Sequence, residues 1–171
     1  MNKNYTPIAT KLTKEFFFDY IDNIDIPEID YFAVGIQSCI TKKSISLMSL
    51  PEWQKQFDLN QYVEHDPLRK ATLSTKRNFI PFTEIDCVDN FGKEIMRQRS
   101  IYGLKNGIVL MERLGKYNYM ITLGTGFLGF DSLDFIKRYY FRLYYLKNDL
   151  IKIIKNDAIR FLMQEIIQPI F

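Results

Sequence analysis

Residues 31–49, YFAVGIQSCITKKSISLMS, decide the fold class. From Tyr31 to Ser38 the residues Phe32, Val34 and Ile36 recur with period two, which places them on one face of a strand. After Thr41-Lys42-Lys43 a second strand covers roughly Ser44 to Ser49, close enough in sequence to pair as an antiparallel hairpin. The same grammar returns later. Gly103 and Gly107 bracket a turn into a strand from Ile108 to Arg113. Leu114-Gly115-Lys116 then turns the chain into a strand from Tyr119 to Gly124. Two such hairpins predict an antiparallel sheet.

Helical spacing fills the intervals. Thr13 is a candidate N-cap, followed by Phe16, Phe17, Tyr20, Ile21 and Ile24. Pro51 opens a short helix as its first residue, where the missing N–H is harmless, and Trp53 and Phe57 share one face of it. Asp66-Pro67 starts another, with Asp66 as N-cap. A third is predicted from Glu84 to Arg99, with Ile85, Val88, Phe91 and Ile95 on its apolar side. A long one begins near Asp131, carries Asp134 in its first turn, and places Leu133, Ile136, Leu143, Leu146 and Leu150 at helical intervals. It continues, broken or bent, toward Gln168. The order helix, two strands, helices, two strands, long helix predicts a three-layer α/β/α sandwich. Its centre is an antiparallel sheet of about five strands, the architecture of PAS- and GAF-like sensor domains. A sheet of this kind can hold a ligand between one face and its covering helices. No repeat, low-complexity run or Pro/Gly/Ser-rich linker divides residues 1–171, so one domain is expected, with a core over 14–150 and a helical tail over 151–171.

Composition narrows the function classes. Of 171 residues, 47% are hydrophobic and 25% charged, which excludes a disordered or collagen-like chain. Twenty-six aromatic residues (14 Phe, 11 Tyr, 1 Trp) can fill a core or line an apolar cavity. The net charge of +3 is too balanced for a nucleic-acid-binding face. Two cysteines, Cys39 and Cys87, make no disulfide framework, and one histidine, His65, cannot build a His-based metal site. The first residues show no signal-peptide core and no run is long enough to span a membrane, so a cytoplasmic location is expected.

Catalytic signatures are missing. There is no GxSxG, Walker loop or HExxH. Gly124, Gly126 and Gly129 have GxGxxG spacing, but the helix follows the glycines and no βαβ unit surrounds them, so a plain strand-to-helix loop is the better reading. Nothing in the spacing of Cys87 and His65 makes them a nucleophile and base. No enzyme, metal or catalytic residue is therefore expected. The informative stretch is residues 50–67, LPEWQKQFDLNQYVEHDP. Its indole N–H at Trp53 is a donor and its Asp66 carboxylate an acceptor. Converging in an apolar cavity, they would hold a small ligand bearing a carbonyl and an N–H. Alternatively Trp53 is a core aromatic and Asp66 only a helix cap.

The cluster Pro51-Glu52-Trp53, Phe57, Tyr62 and Asp66-Pro67, followed by Phe91 to Gly103-Leu104, Gly107 and the strand through Ile121-Thr122-Leu123, resembles the autoinducer-binding domain of LuxR-type quorum-sensing regulators. The resemblance covers residues 14 to 150. It implies an α/β/α sandwich that binds an N-acyl-homoserine lactone or a related amphiphilic amide, with no cofactor. It implies that Trp53 donates to the lactone carbonyl, Asp66 accepts the amide N–H, and Thr122 offers a hydroxyl near the acyl carbonyl, with Phe57, Tyr62 and Leu104 around them. Leu50 and Phe57 stand where that family usually has tyrosine. A second tryptophan that covers the lactone ring is missing, and Phe82 is the candidate stand-in. The family's helix-turn-helix is absent after residue 150, so no DNA binding by this chain alone is expected. A homodimer, or a heterodimer with a full-length relative, would carry the signal to transcription. The apolar tail Ile166, Ile167, Ile170 and Phe171 would be buried in such an interface or against the domain's own helices. The competing reading is an interaction module that has lost its ligand. A lactone-degrading enzyme would need a metal set or nucleophile that the sequence lacks.

Overall fold

The computed structural model describes residues 9–164, so the apolar tail at 166–171 lies outside the described residues. Helix α1 (Lys11–Asp22) precedes the hairpin β1 (Tyr31–Ser38) and β2 (Ser44–Met48). Helices α2 (Pro51–Leu59) and α3 (Pro67–Ser74), the edge strand β3 (Phe79–Pro81) and α4 (Asn90–Ile101) follow. The hairpin β4 (Asn106–Leu114) and β5 (Tyr117–Thr125) leads into α5 (Ser132–Gln164). The five strands form one antiparallel sheet in the order β2-β1-β5-β4-β3. The two hairpins are joined at its centre, where β1 pairs with β5 from Tyr31 opposite Gly124 to Ser38 opposite Tyr117.

Alternation along the strands divides the core. Phe32, Val34 and Ile36 of β1, with Ile108, Ile121 and Leu123, pack against Phe17 of α1 and Phe135, Leu143, Leu146 and Leu150 of α5. The intervening residues Tyr31, Ala33, Val109 and Met111 face α2, α3 and α4. The three-layer sandwich expected from the sequence is the observed architecture.

Four boundaries differ from the sequence reading. Thr10, not Thr13, caps α1: its side chain accepts from Thr13 N–H, and both hydroxyls donate to Asp157 of α5. A partner 144 residues or more away leaves no local signal. The helix predicted from Glu84 begins only at Asn90. Asp89 caps it by accepting the Gly92 N–H at 2.6 Å, while Phe82–Glu84 makes a single 3₁₀ turn and Val88 is exposed. Strand β3, three residues long, is too short to show a period; Pro81 ends it on the sheet edge, where a missing donor does no harm. Helix α5 runs unbroken to Gln164 and is capped by Asp131.

Gly107 explains part of the Gly103-Leu104…Gly107 pattern. Its φ is +153°, and a Cβ there would lie 2.1 Å from the Leu123 carbonyl oxygen. Only glycine lets α4 pass into β4 this close to β5.

Candidate functional site

Pro51 and Asp66 start two of the helices that cover one face of the sheet. Proline at the first position of α2 turns Trp53 and Phe57 inward on one stripe, and both are buried. Their rings meet edge-on at 5.7 Å, and Tyr62 packs 6.0 Å from each. Asp66 caps α3 by accepting from Leu68 N–H at 3.1 Å. That task occupies one face of a carboxylate that is only 1% exposed.

Arg99 of α4 meets the rest. Its Nη1 and Nη2 donate to the two Asp66 oxygens at 2.7 and 3.0 Å, a bidentate pair between side chains almost wholly withdrawn from water. The guanidinium also lies 5.5 Å from the Trp53 ring centroid and 5.9 Å from that of Phe57. Burial works against its charge, but Asp66 outweighs burial and the guanidinium pKa moves up. Trp53 and Asp66 therefore converge through Arg99. Two donors remain unused: Trp53 Nε1 and Arg99 Nε are buried and have no hydrogen-bond partner. The Tyr31 hydroxyl lies close to the indole without completing a hydrogen bond, and burial drives its pKa well above the usual phenol value.

A cavity of about 60 Å³ extends from this cluster between the sheet and α3. Tyr31, Ala33 and Gly35 of β1, Met111, Met120 and Thr122, and Phe57, Asp66, Thr72 and Arg99 line it. Two arginines clamp α3 over it. Arg69 donates to Ser44 Oγ, the Val63 carbonyl and the Lys42 carbonyl. Arg113 of β4 donates to the Thr72 and Thr75 carbonyls at the C-terminal end of α3, where a cation suits the helix dipole. The volume accommodates a few water molecules and must widen for an acylated ligand.

Of the residues singled out from sequence, Asp66, Thr122 and Phe57 form cavity wall. Trp53 and Tyr62 stand in the aromatic layer behind Arg99 and Phe57, with Leu104 and the half-buried Leu50 in the same cluster. Phe82 lies apart, packed with Leu68, Ile80, Val109 and Met111 outside the cavity wall. Asp66, expected to accept from a ligand amide, already accepts from Arg99 on both its oxygens. Arg99 was missed. Its signal was present: Gly92, Ile95 and Arg99 fall at i, i+3 and i+7 on the buried face of α4, so the apolar stripe carries a charge. Tyr31, the first residue of β1, is a second member of the wall that the strand pattern alone does not single out.

The remaining candidates are accounted for. His65 is exposed with its ring against Phe91, and burial followed by the charge of Asp89 pushes the Cys87 thiol up, away from nucleophilic character. Asp30 accepts from Gly126 N–H and the Thr125 hydroxyl, so the glycine-rich stretch is a tied-down loop between β5 and α5. Among the described residues no group of three or more His, Cys, Asp and Glu side chains could hold a metal ion, and no helix is long and apolar enough to cross a membrane.

Solved structures share this arrangement. The N-acylhomoserine-lactone-dependent LuxR-family transcription factor CepR2 of Burkholderia cenocepacia superimposes with a TM-score of 0.58 at 15% identity, over 89% of this chain and 96% of that one. The fold is that of LuxR-type autoinducer-binding domains. SdiA, known from Escherichia coli and here in complex with octanoyl-rac-glycerol, matches this LuxR-type fold with a TM-score of 0.59 at 11% identity, over 86% of this chain and 67% of its own. The ligand-binding domain of Pseudomonas aeruginosa VqsR gives 0.57 at 12%, over 83% and 85%. Of these neighbours CepR2 is a transcription factor and the VqsR structure is a ligand-binding domain. No sequence profile of a known family matches the chain, and no curated protein matches it by sequence.

Proposed function

We propose that this chain is a small-molecule signal sensor of the LuxR type. It would hold an amphiphilic acyl ligand, an N-acyl-homoserine lactone or a relative of one, between the sheet and α2–α4, and act in quorum-sensing transcriptional regulation. The observation that carries the reading is the cavity beside Asp66 and Arg99, backed by the Arg99 Nε–H in its wall, which has no acceptor. A buried donor without a partner costs about 1–3 kcal/mol, which a ligand acceptor would relieve. The fold neighbours support the class of ligand: one is acylhomoserine-lactone dependent and one holds an acyl glycerol. Signal transfer would pass through a homodimer or a heterodimer with a full-length relative. The run of exposed aromatics Tyr140, Phe141, Tyr144 and Tyr145 on α5 supports such pairing.

Thermal unfolding with a panel of short- and long-chain acyl-homoserine lactones and acyl glycerols tests the reading. A ligand that binds only the folded state raises the melting temperature, with a stabilisation that grows as the logarithm of its concentration over Kd. A flat response to the whole panel refutes it. A second reading, a pairing module without a ligand, draws on the narrow cavity and on Asp66 already satisfied by Arg99. Under that reading the panel stays silent while the chain still self-associates.

A further inference from the structure

Arg99 changes which head group this cavity can read. Asp66 Oδ1 accepts from Leu68 N–H and Arg99 Nη1, and Oδ2 accepts from Arg99 Nη2. Three of the carboxylate's roughly four lone-pair positions are thus filled and its charge is balanced. On the donor side the count runs the other way. Arg99 Nε in the cavity wall and Trp53 Nε1, on the ring against which the guanidinium lies, are both buried and both lack an acceptor. Tyr31 and Thr122 add hydroxyls to the same wall. These hydroxyls can donate or accept, but beside the ion pair the two buried groups without a partner are both donors, and the one carboxylate there is nearly filled.

Building on the sensor reading, we propose that the ligand is an amphiphile whose head presents carbonyl or ester oxygens and needs no N–H: an acyl ester or ketone in preference to an acyl amide. The head is neutral. The Asp66–Arg99 pair is already balanced, and Arg69 and Arg113 of the same wall donate to backbone carbonyls, so a carboxylate brought here would have to draw one of those cations away from its partners. An amide N–H would find one remaining lone pair on a carboxylate whose charge is spent on arginine. The acyl chain then runs over Gly35 between Met111 and Met120.

Calorimetric titration of the full chain with three probes sharing one octanoyl chain tests this. The probes are N-octanoyl homoserine lactone, the isostere with an ester oxygen in place of the amide N–H, and octanoate. An N–H read by a free carboxylate is worth roughly tenfold or more in affinity. The expected result is an ester Kd equal to the amide's to within about threefold, or tighter, with octanoate weakest. An amide advantage larger than that overturns the proposal and leaves the sensor reading standing. Octanoate binding tighter than the ester overturns the neutral head. No binding by either lactone overturns both the proposal and the reading beneath it. Arg99→Lys keeps the charge opposite Asp66 but removes Nε, and its fold is checked by its melting curve. Ester affinity falling several-fold more than amide affinity in this variant supports the proposal, and equal losses count against it. If the variant does not fold, the wild-type probe series decides alone.

Discussion

The two faces of the sheet come from the same strands and obey opposite rules. Toward α1 and α5 the strands present Val34, Ile36, Ile108, Ile121 and Leu123, close-packed against Phe17, Phe135, Leu143, Leu146 and Leu150; Lys147 pairs with Glu112 at the rim, and among the described residues the Tyr119 hydroxyl is the buried polar group there without a partner. Toward α2, α3 and α4 the alternate positions present Tyr31, Gly35, Gln37 and Thr122 to a buried ion pair, an idle indole N–H and a cavity. A face that only had to hold the fold together would need neither an ion pair this deeply buried nor the space. Charge withdrawn from water contributes little net stability, whereas apolar packing contributes much. The first face stabilises, and the second uses part of that stability to stay open and polar.

Breaking the second face at its ion pair should give the largest effect. Arg99→Leu strands the Asp66 carboxylate, and a loss of about 3–5 kcal/mol is expected in urea unfolding. The double change Asp66→Asn with Arg99→Met should recover much of it, since it leaves no unpaired charge and the Asn oxygen can still accept from Leu68 N–H. A single variant losing under about 1 kcal/mol would show that water reaches the pair. On the first face, Leu150→Ala should cost about 2–5 kcal/mol through lost transfer energy and the cavity left behind. It should leave the affinity of any ligand unchanged, and a coupled loss of affinity would mean that the faces are not independent.

Trp53→Phe separates packing from recognition. The indole N–H makes no bond, so its removal sacrifices none, and the stability change should come from volume alone. Ligand affinity measured by calorimetry should fall about tenfold if the indole meets an acceptor on binding. Gly35→Ala is gentler still. A Cβ at Gly35 would meet nothing nearer than the Ile45 carbonyl oxygen at 3.6 Å, so the methyl fits. Less backbone freedom in the unfolded chain should stabilise by about 0.4–1 kcal/mol. The methyl points into the acyl path, so long-chain ligands should bind more weakly while short ones are spared.

The difference between the faces also explains what the sequence made legible. Period two in residues 31–38, the two hairpins and the helical stripe of α5 all arise from apolar burial, which leaves a repeating trace. Helix starts at Pro51 and Asp66 were readable because the capping chemistry is local. The site depends on meetings between distant residues. Asp66 and Arg99 are 33 residues apart, and neither one advertises the other. The charge on the stripe Gly92, Ile95 and Arg99 was the available clue, and reading α4 from Glu84 hid it by filling the stripe with Ile85 and Val88, which lie outside the helix.

Asp157 offers the smallest test, on the face that should be indifferent to ligand. From α5 it accepts from the Thr10 N–H and from the hydroxyls of Thr10 and Thr13, pinning the start of α1. Burial opposes its ionisation, but these hydrogen bonds outweigh burial and hold the carboxyl below the usual aspartate range. A carboxyl depressed in the folded state adds stability that is present above its unfolded pKa, about 3.9, and is lost as pH falls through the folded value. Asp157→Asn should therefore cost about 1 kcal/mol at neutral pH, the scale of a lost helix cap, with the gap to wild type closing in acid. The measurement is urea unfolding at pH 7 and again below pH 4. A gap that widens in acid would assign the latch to packing. Any change in ligand affinity would show that α1 reports through the sheet to the cavity, against the separation of the two faces.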